Sequence, residues 1–295
     1  MASVSPPELL RASGSDGLDL LLQDVDKLVS MPDIYYRLEE LVVSPAATPD
    51  DLALLFRSDP DLCARMLRIA NSAFYSFPTR IETIERAIVT IGLRQIRELV
   101  LMTSVVAAFD GLAEHNVDME IFWEHSVAVA VTARAVGRSR AIPNADSFYI
   151  PGLLHDIGRL VMYLKLPGLT GELLQRRAQS GEAMVTLELE MLGYSHADIG
   201  AALLQKWKVP ATICEPVRYH HDPQAAGESI LSASAVHIAD VWVNQVGNGG
   251  NSADYWSQFV PAALAMITVE PETLDSIGSG AVQQTGAIVS QFSLH

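Results

Sequence analysis

Cysteine is almost missing from this chain. Cys63 and Cys214 are the only two among 295 residues and form no CxxC pair, which excludes a thiolate zinc site. Each sits in an apolar helical pattern and reads as a small buried hydrophobe in a reducing compartment. Basic residues are scarce as well: 20 Lys and Arg face 35 Asp and Glu, a formal charge of −15. Sequence-independent binding to nucleic acid needs clustered cations that displace counterions, so this balance argues against such a partner. Arg94 and Arg97 share one helix face and read as a solvated flank. No apolar stretch reaches membrane-spanning length free of charge. The start, Met1 to Asp16, has Pro6-Pro7 and a single basic residue where a secretion signal would have a charged start and an apolar run. A soluble cytoplasmic protein, with no membrane partner, is the expectation.

Strand-like alternation with β-branched residues is nearly absent too, and helical periodicity fills the gap, so the expected fold is all-α. With 49% of residues apolar and 19% charged, the chain can bury a substantial core. Helix starts are legible. Thr48-Pro49-Asp50-Asp51 supplies an N-cap, a proline at the first helical position and an acid three residues on. Asp59-Pro60-Asp61 repeats the device, and Ser195-His196-Ala197-Asp198 is a third capping box. Gly92 interrupts an apolar stripe and predicts a turn between two helices. Polar residues at 110–120 and the Gly/Asn run Gly247 to Ser252 mark weak points. We therefore expect a flexible start (1–18) and a two-lobed helical domain over 19–246. Its N-terminal lobe is 19–110 and its second lobe 118–246, with C-terminal helices (247–295) packing on the domain.

Against this background, histidines and aspartates fall in an order that divalent metals favour: His125, His155-Asp156, His196, His220-His221 and Asp240. Imidazole nitrogen and carboxylate oxygen suit Fe, Mn, Zn or Mg. Taken singly, each has a plain structural explanation: a core histidine, a helix-terminal polar residue, a dipole-favoured imidazole. Asp240 is the exception, because a carboxylate in an apolar helix needs a cation, a metal or a donor. Together they suit metal-assisted hydrolysis, in which one or two ions acidify water and polarise a phosphoryl oxygen. His155 and Asp156 would anchor one ion, with His125 and Asp240 completing its shell. His196, His220 and His221 would hold a second ion or contact phosphate. Ligating histidines must be neutral, so occupancy should fall below roughly pH 6.

The order H…HD…H…HH…D resembles the HD superfamily of metal-dependent phosphohydrolases. The N-terminal half narrows this. Leu28-Val29-Ser30-Met31-Pro32, Ser58-Asp59-Pro60-Asp61-Leu62, Leu67 to Tyr75 (LRIANSAFY) and Ala87 to Leu93 (AIVTIGL) look like the HDOD family, the HD-related output domain of bacterial signalling proteins. The likeness spans roughly residues 20 to 245. It implies an HD-like second lobe and a regulatory or output role through a signalling protein partner or a small phosphorylated ligand. Many such domains have lost HD-type ligands; this chain keeps His125, His155, Asp156 and Asp240. Where a lysine often follows His-Asp-x-Gly, Arg159 stands here, a stiffer cation able to meet phosphate. If the site is active, Asp156 and Arg159 are its candidate catalytic residues. Asp222-Pro223-Gln224 follows His220-His221 with no Gly-Tyr-Pro, so the mark of cyclic-di-GMP phosphodiesterases is missing. The leading reading is a signalling module; the alternatives are a phosphohydrolase acting on a nucleotide or cyclic dinucleotide, and a structural metal. For a module, the aromatics in Asn71 to Phe77 would be the binding surface.

Overall fold

The capping devices act as their chemistry dictates. Thr48 Oγ1 accepts from the Asp51 amide, and the Asp51 carboxylate accepts from the Thr48 amide at 2.8 Å, satisfying two otherwise orphaned donors. Asp59 Oδ1 caps the next helix by accepting from the Leu62 amide at 2.9 Å. The backbone at Gly92, with φ of +91°, separates two helices at a conformation that residues with a side chain rarely adopt. The computed structural model describes residues 15–23, 25, 28–46, 48–71, 80–109, 118–247, 258–283 and 285–289. Among them there is no strand, and the protein is all-α.

In chain order, the first six helices are α1 (Ser15–Leu22), α2 (Asp33–Val43), α3 (Pro49–Arg57), α4 (Pro60–Ala70), α5 (Ile84–Ile91) and α6 (Leu93–Ala108). Then come α7 (Met119–Ser139), α8 (Tyr149–Leu154), α9 (Ile157–Lys165), α10 (Pro167–Ser180) and α11 (Met184–Leu192). The remainder are α12 (His196–Lys206), α13 (Ala211–Arg218), α14 (Ile230–Gly247), α15 (Pro261–Met266), α16 (Pro271–Val282) and α17 (Thr285–Val289). Among the described residues, no helix is long and apolar enough to cross a membrane.

Two compact units emerge, Met1–Val25 with Leu112–Gln283, and Asp26–Gly111 with Gln284–His295. The smaller unit buries Tyr35, Leu38, Phe56, Met66, Ile96 and Met102 on its helices. Arg97 is no solvated flank there: it is half-buried and ion-paired with Glu39. Asn71 grips the backbone of Ile81 twice, its amide donating to the carbonyl and accepting from the N–H, both at 2.7 Å. Cys63 is only half-buried, whereas Cys214 is fully buried, and both are free thiols.

The larger unit is built on α7, which packs against α8, α14 and α16. Ala133, Val136, Ala235, Ile238, Ala239 and Trp242 form its core. Residues 15–18, expected within a flexible start, are helical. Lys165 and Lys206 donate to the carbonyls of Gln23 and Leu22, capping the C-terminal end of α1 with positive charge. The rest of the expected flexible start (1–14), the polar stretch at 110–117, the Gly/Asn run from residue 248 and the aromatics at 72–77 lie outside the described residues.

Candidate metal centre

All seven sequence-predicted ligands lie in the larger unit, at five places along the chain. His125 projects from α7 and Asp240 from α14. His196 opens α12, and His220-His221 follow the end of α13. His155 and Asp156 do not sit within one helix, as their apolar context suggests. They form the turn from α8 into α9, where Asp156 leaves helical geometry (φ −97°, ψ 7°). That break lets neighbouring side chains that would diverge by about 100° on a helix face one centre. His196, read from the sequence as a ligand at a helix start, is completely buried. The Ser195 capping box fixes it: Ser195 Oγ accepts from the Asp198 amide and the Asp198 carboxylate accepts from the Ser195 amide at 2.9 Å. The start of α12 then lies directly on α9 because Gly158 has no side chain. A Cβ there would come within 2.0 Å of the His196 carbonyl oxygen and 2.6 Å of the Gly200 nitrogen.

Two groups of donors result, His125 with His155 and Asp240, and His196 with His220 and His221. In the first, His125 Nε2 is 3.3 Å from His155 Nε2, His125 Nε2 is 3.2 Å from Asp240 Oδ1, and His155 Nε2 is 3.4 Å from that oxygen. Donors 2.0–2.1 Å from one ion lie about 3.0 to 3.4 Å apart at octahedral to tetrahedral angles, so the triangle fits. In the second, His196 Nε2 and His221 Nε2 are 3.1 Å apart. Asp156 joins the groups. Its Oδ2 lies 3.5 Å from His155 Nε2 and 3.8 Å from His125 Nε2, while its Oδ1 lies 3.1 Å from His196 Nε2.

The tautomers support the same reading. His155 Nδ1 donates to the Gly152 carbonyl at 2.8 Å and His220 Nδ1 to the Val217 carbonyl at 2.7 Å. His196 Nδ1 donates to Glu188 Oε2 at 2.6 Å. Once such an imidazole is neutral, its Nε2 lone pair faces the cluster, as in carboxylate- and carbonyl-backed metal ligands. His220 Nε2 is buried with no hydrogen-bond partner, a cost that a metal would remove.

Sequence reasoning missed part of this support. Glu188 is buried, accepting from both the backbone and the ring of His196. Its trace lay in the helix pattern: Met184, Leu187, Glu188 and Leu192 are the buried face of α11, so an acid fills a core position. Asn244, one turn beyond Asp240, donates to Asp240 Oδ1 at 2.7 Å. His237 is a positioning residue rather than a ligand, donating to the His220 carbonyl at 2.8 Å and accepting from the Val260 amide at 2.9 Å.

The first group opens on a cleft of about 540 Å³ with His125, Asp156 and Arg159 in its lining. Arg159 Nε stands 3.1 Å from Asp156 Oδ1. Ile121, Phe122, Tyr163, Pro167 and Leu174 give much of the wall.

A family profile for the HDOD domain matches residues 28–223, about two thirds of the chain. The chain belongs to the HDOD family. A solved structure from Shewanella amazonensis, provisionally named a phosphohydrolase, is 25% identical. It covers 92% of this chain and 98% of its own, with a TM-score of 0.74. An HDOD domain protein of unknown function from Geobacter sulfurreducens shares the fold at 23% identity and TM-score 0.72, covering 94% and 98%. An uncharacterized protein of Treponema pallidum (strain Nichols) is 27% identical over 74% of this HDOD chain. That match spans only 42% of the Treponema protein.

Charges in the HDOD centre are strongly coupled. Burial opposes ionisation of Asp156 and Asp240. Arg159 and His155 nevertheless hold Asp156, and hydrogen bonds from His125 and His155 hold Asp240, well below the usual carboxylate range. Burial also lowers the His155 value, yet Asp156 and Asp240 carry it up to about 10. His221 is pushed down to about 3 by burial and by His196. Because the folded value of His155 exceeds the ordinary value near 6.5, its contribution to the metal-free fold is complete below about pH 6.5 and disappears as pH rises through about 10. A metal must displace that proton, so competition reaches far above the pH 6 suggested by unperturbed imidazoles. Between pH 7 and 9, metal affinity is expected to rise about tenfold per pH unit for each proton displaced. Calorimetry in buffers of different ionisation enthalpy measures this directly. A flat affinity without proton release would contradict the assignment of His155.

Proposed function

We propose that this HDOD chain is a metal-dependent phosphohydrolase whose centre would hold two divalent ions, with Asp156 bridging the two donor groups. The supporting observation is the gathering of six donors into two groups, with the Asp156 carboxylate within 3.8 Å of members of both, at ligand-edge spacing and beside an open cleft. A surviving structural scaffold would not need four Nε2 atoms turned toward each other in two pairs and a fifth, that of His220, buried without a partner. His125, His155, Asp156 and Asp240 would hold one ion, and Asp156, His196, His220 and His221 the other. Bound ions would be Fe, Mn, Zn or Mg, and they would supply the positive charge that acidifies water and polarises a phosphoryl oxygen.

The chain's own residues do the rest. Glu188, Gly152 and Val217 lock three imidazoles in the ligating tautomer. Asn244 orients the Asp240 carboxylate. Arg159, beside Asp156 and in the cleft lining, offers its outer N–H groups to an anionic oxygen. In the reaction a water oxygen bonds to phosphorus, the phosphorus–oxygen bond to the alcohol breaks, and the leaving oxygen takes a proton from that water. Such a hydrolase in a signalling context would consume a small phosphorylated messenger.

Elemental analysis of the purified, tag-free protein tests this, together with phosphate release from para-nitrophenyl phosphate. The expected result is one to two equivalents of Fe, Mn or Zn and a hydrolysis that a chelator abolishes. A protein that carries no metal even after anaerobic preparation with added Fe and Mn would overturn the proposal. Metal without any hydrolysis, accompanied by a chelator-induced fall in melting temperature, would favour the structural-metal reading.

A further inference from the structure

Beyond the metal ligands, the cleft is poor in charge. Among the described residues of its lining, Arg159 is the one cation, and its Nε already faces Asp156. Asp118, also in the lining, spends a carboxylate oxygen on the amide of Ile121 at 3.0 Å and keeps its negative charge. The remaining wall is largely apolar. Ile121 and Leu174 are exposed large hydrophobics, and Phe122 and Tyr163 add rings. These positions recur one helical turn apart: Asp118, Ile121, Phe122 and His125 lie along α7 or at its cap, Asp156, Arg159 and Tyr163 along α9 or at its cap, and Pro167, Thr170 and Leu174 along α10. One face of each helix therefore runs from centre to apolar wall or lines that wall throughout.

From this charge pattern we infer that the cleft selects a ligand with a single phosphoryl group on an apolar or aromatic body and discriminates against a second phosphoryl group. The inference rests on the phosphohydrolase reading for the anchor of the first phosphoryl group and goes further in naming the substrate class. One phosphoryl group finds the centre and Arg159. A second would meet the like charge of the Asp118 carboxylate and hydrocarbon that offers it no donor. An apolar body would instead cover Ile121, Leu174 and the two rings, removing hydrocarbon from water. The reaction is then the simplest of its kind: water adds to phosphorus, the ester oxygen departs protonated, and the products are an alcohol and inorganic phosphate.

Three phosphonates, whose carbon–phosphorus bonds resist hydrolysis, read this preference by calorimetry on the metal-loaded protein. They are methylphosphonate, phenylphosphonate and para-phenylenebisphosphonate. Phenylphosphonate is expected to bind about tenfold more tightly than methylphosphonate. The second phosphonate of para-phenylenebisphosphonate is expected to cancel that gain. Leu174→Lys, a change at an exposed position, should raise affinity for the bisphosphonate selectively by giving the cleft a second cation. Equal binding of methyl- and phenylphosphonate, or preference of wild type for the bisphosphonate, overturns the inference while leaving the metal centre intact. Absence of metal from the protein would instead overturn the reading on which it rests. The two failures are thus separate.

Discussion

Asp156→Asn is expected to cost the protein both metals at once, whereas Asp240→Asn costs one. The difference follows from which oxygens touch what. Asp156 presents Oδ2 to His155 and His125 and Oδ1 to His196, so its charge serves both donor groups. Asp240 presents Oδ1 to His125 and His155 of the first group, and to Asn244. Loss of outer-shell support already costs about 10–100-fold in metal affinity, so loss of the shared ligand charge should cost at least about 100-fold at each position. Asparagine is the informative replacement because it preserves shape. Asp156→Ala would leave Arg159, His155 and His196 facing one another around a missing anion, and breaking such a buried pair costs about 3–5 kcal/mol. The alanine variant therefore reports mainly on folding, the asparagine variant on metals. Elemental analysis of both asparagine variants, with helicity checked by circular dichroism, makes the comparison. Retention of a full second equivalent in Asp156→Asn would rule out the bridge.

Much of this architecture could be read in advance because short-range chemistry governs it. Capping boxes at Thr48 and Ser195 and the glycine at residue 92 fix helix ends through local hydrogen bonds and backbone sterics. The seven residues stood out jointly, as an order of histidines and acids that divalent metals favour, and only Asp240 stood out by the cost of its burial. What escaped were properties that depend on distant partners. The helix pattern puts Glu188 on the apolar face and Glu190 off it, yet says nothing of partners: the first is buried against His196 and the second forms an exposed pair with Arg176. Likewise, the place of Ser195-His196 as a helix start was readable, but the burial of His196 was not, since it depends on α9 lying against α12. The turn that carries His155-Asp156 was hidden for a similar reason. The apolar run Ile150 to Leu154 carries no mark of where the helix stops, and the backbone turns at Asp156 between α8 and α9.

That contact between α9 and α12 yields the other large effect. Gly158→Ala is expected to destabilise the protein by about 3 kcal/mol or more and to abolish metal binding, although it removes no ligand. The added methyl group would stand 2.0 Å from the His196 carbonyl oxygen and 2.9 Å from its carbonyl carbon, and 2.6 Å from the Gly200 nitrogen. These are backbone atoms of a capped helix, so no side chain can rotate away, and relief requires that α12 move as a body. His196 and its bridge to Asp156 at 3.1 Å would move with it. The reciprocal position is less severe: a Cβ at Gly200 would meet the Ile157 Cγ2 at 3.0 Å and the Gly158 nitrogen at 3.1 Å, so Gly200→Ala should cost less. Gly280 supplies the control. It lies within α16, where an added methyl group would meet nothing within 4 Å, and alanine there should gain up to about 1 kcal/mol through helix propensity alone. Urea denaturation with metal titration of the three variants separates close backbone approach from ordinary helix preference. A Gly158→Ala protein as stable and as metal-competent as wild type would mean that α9 and α12 are free to part, and that the donors are not held at ligand spacing by this contact.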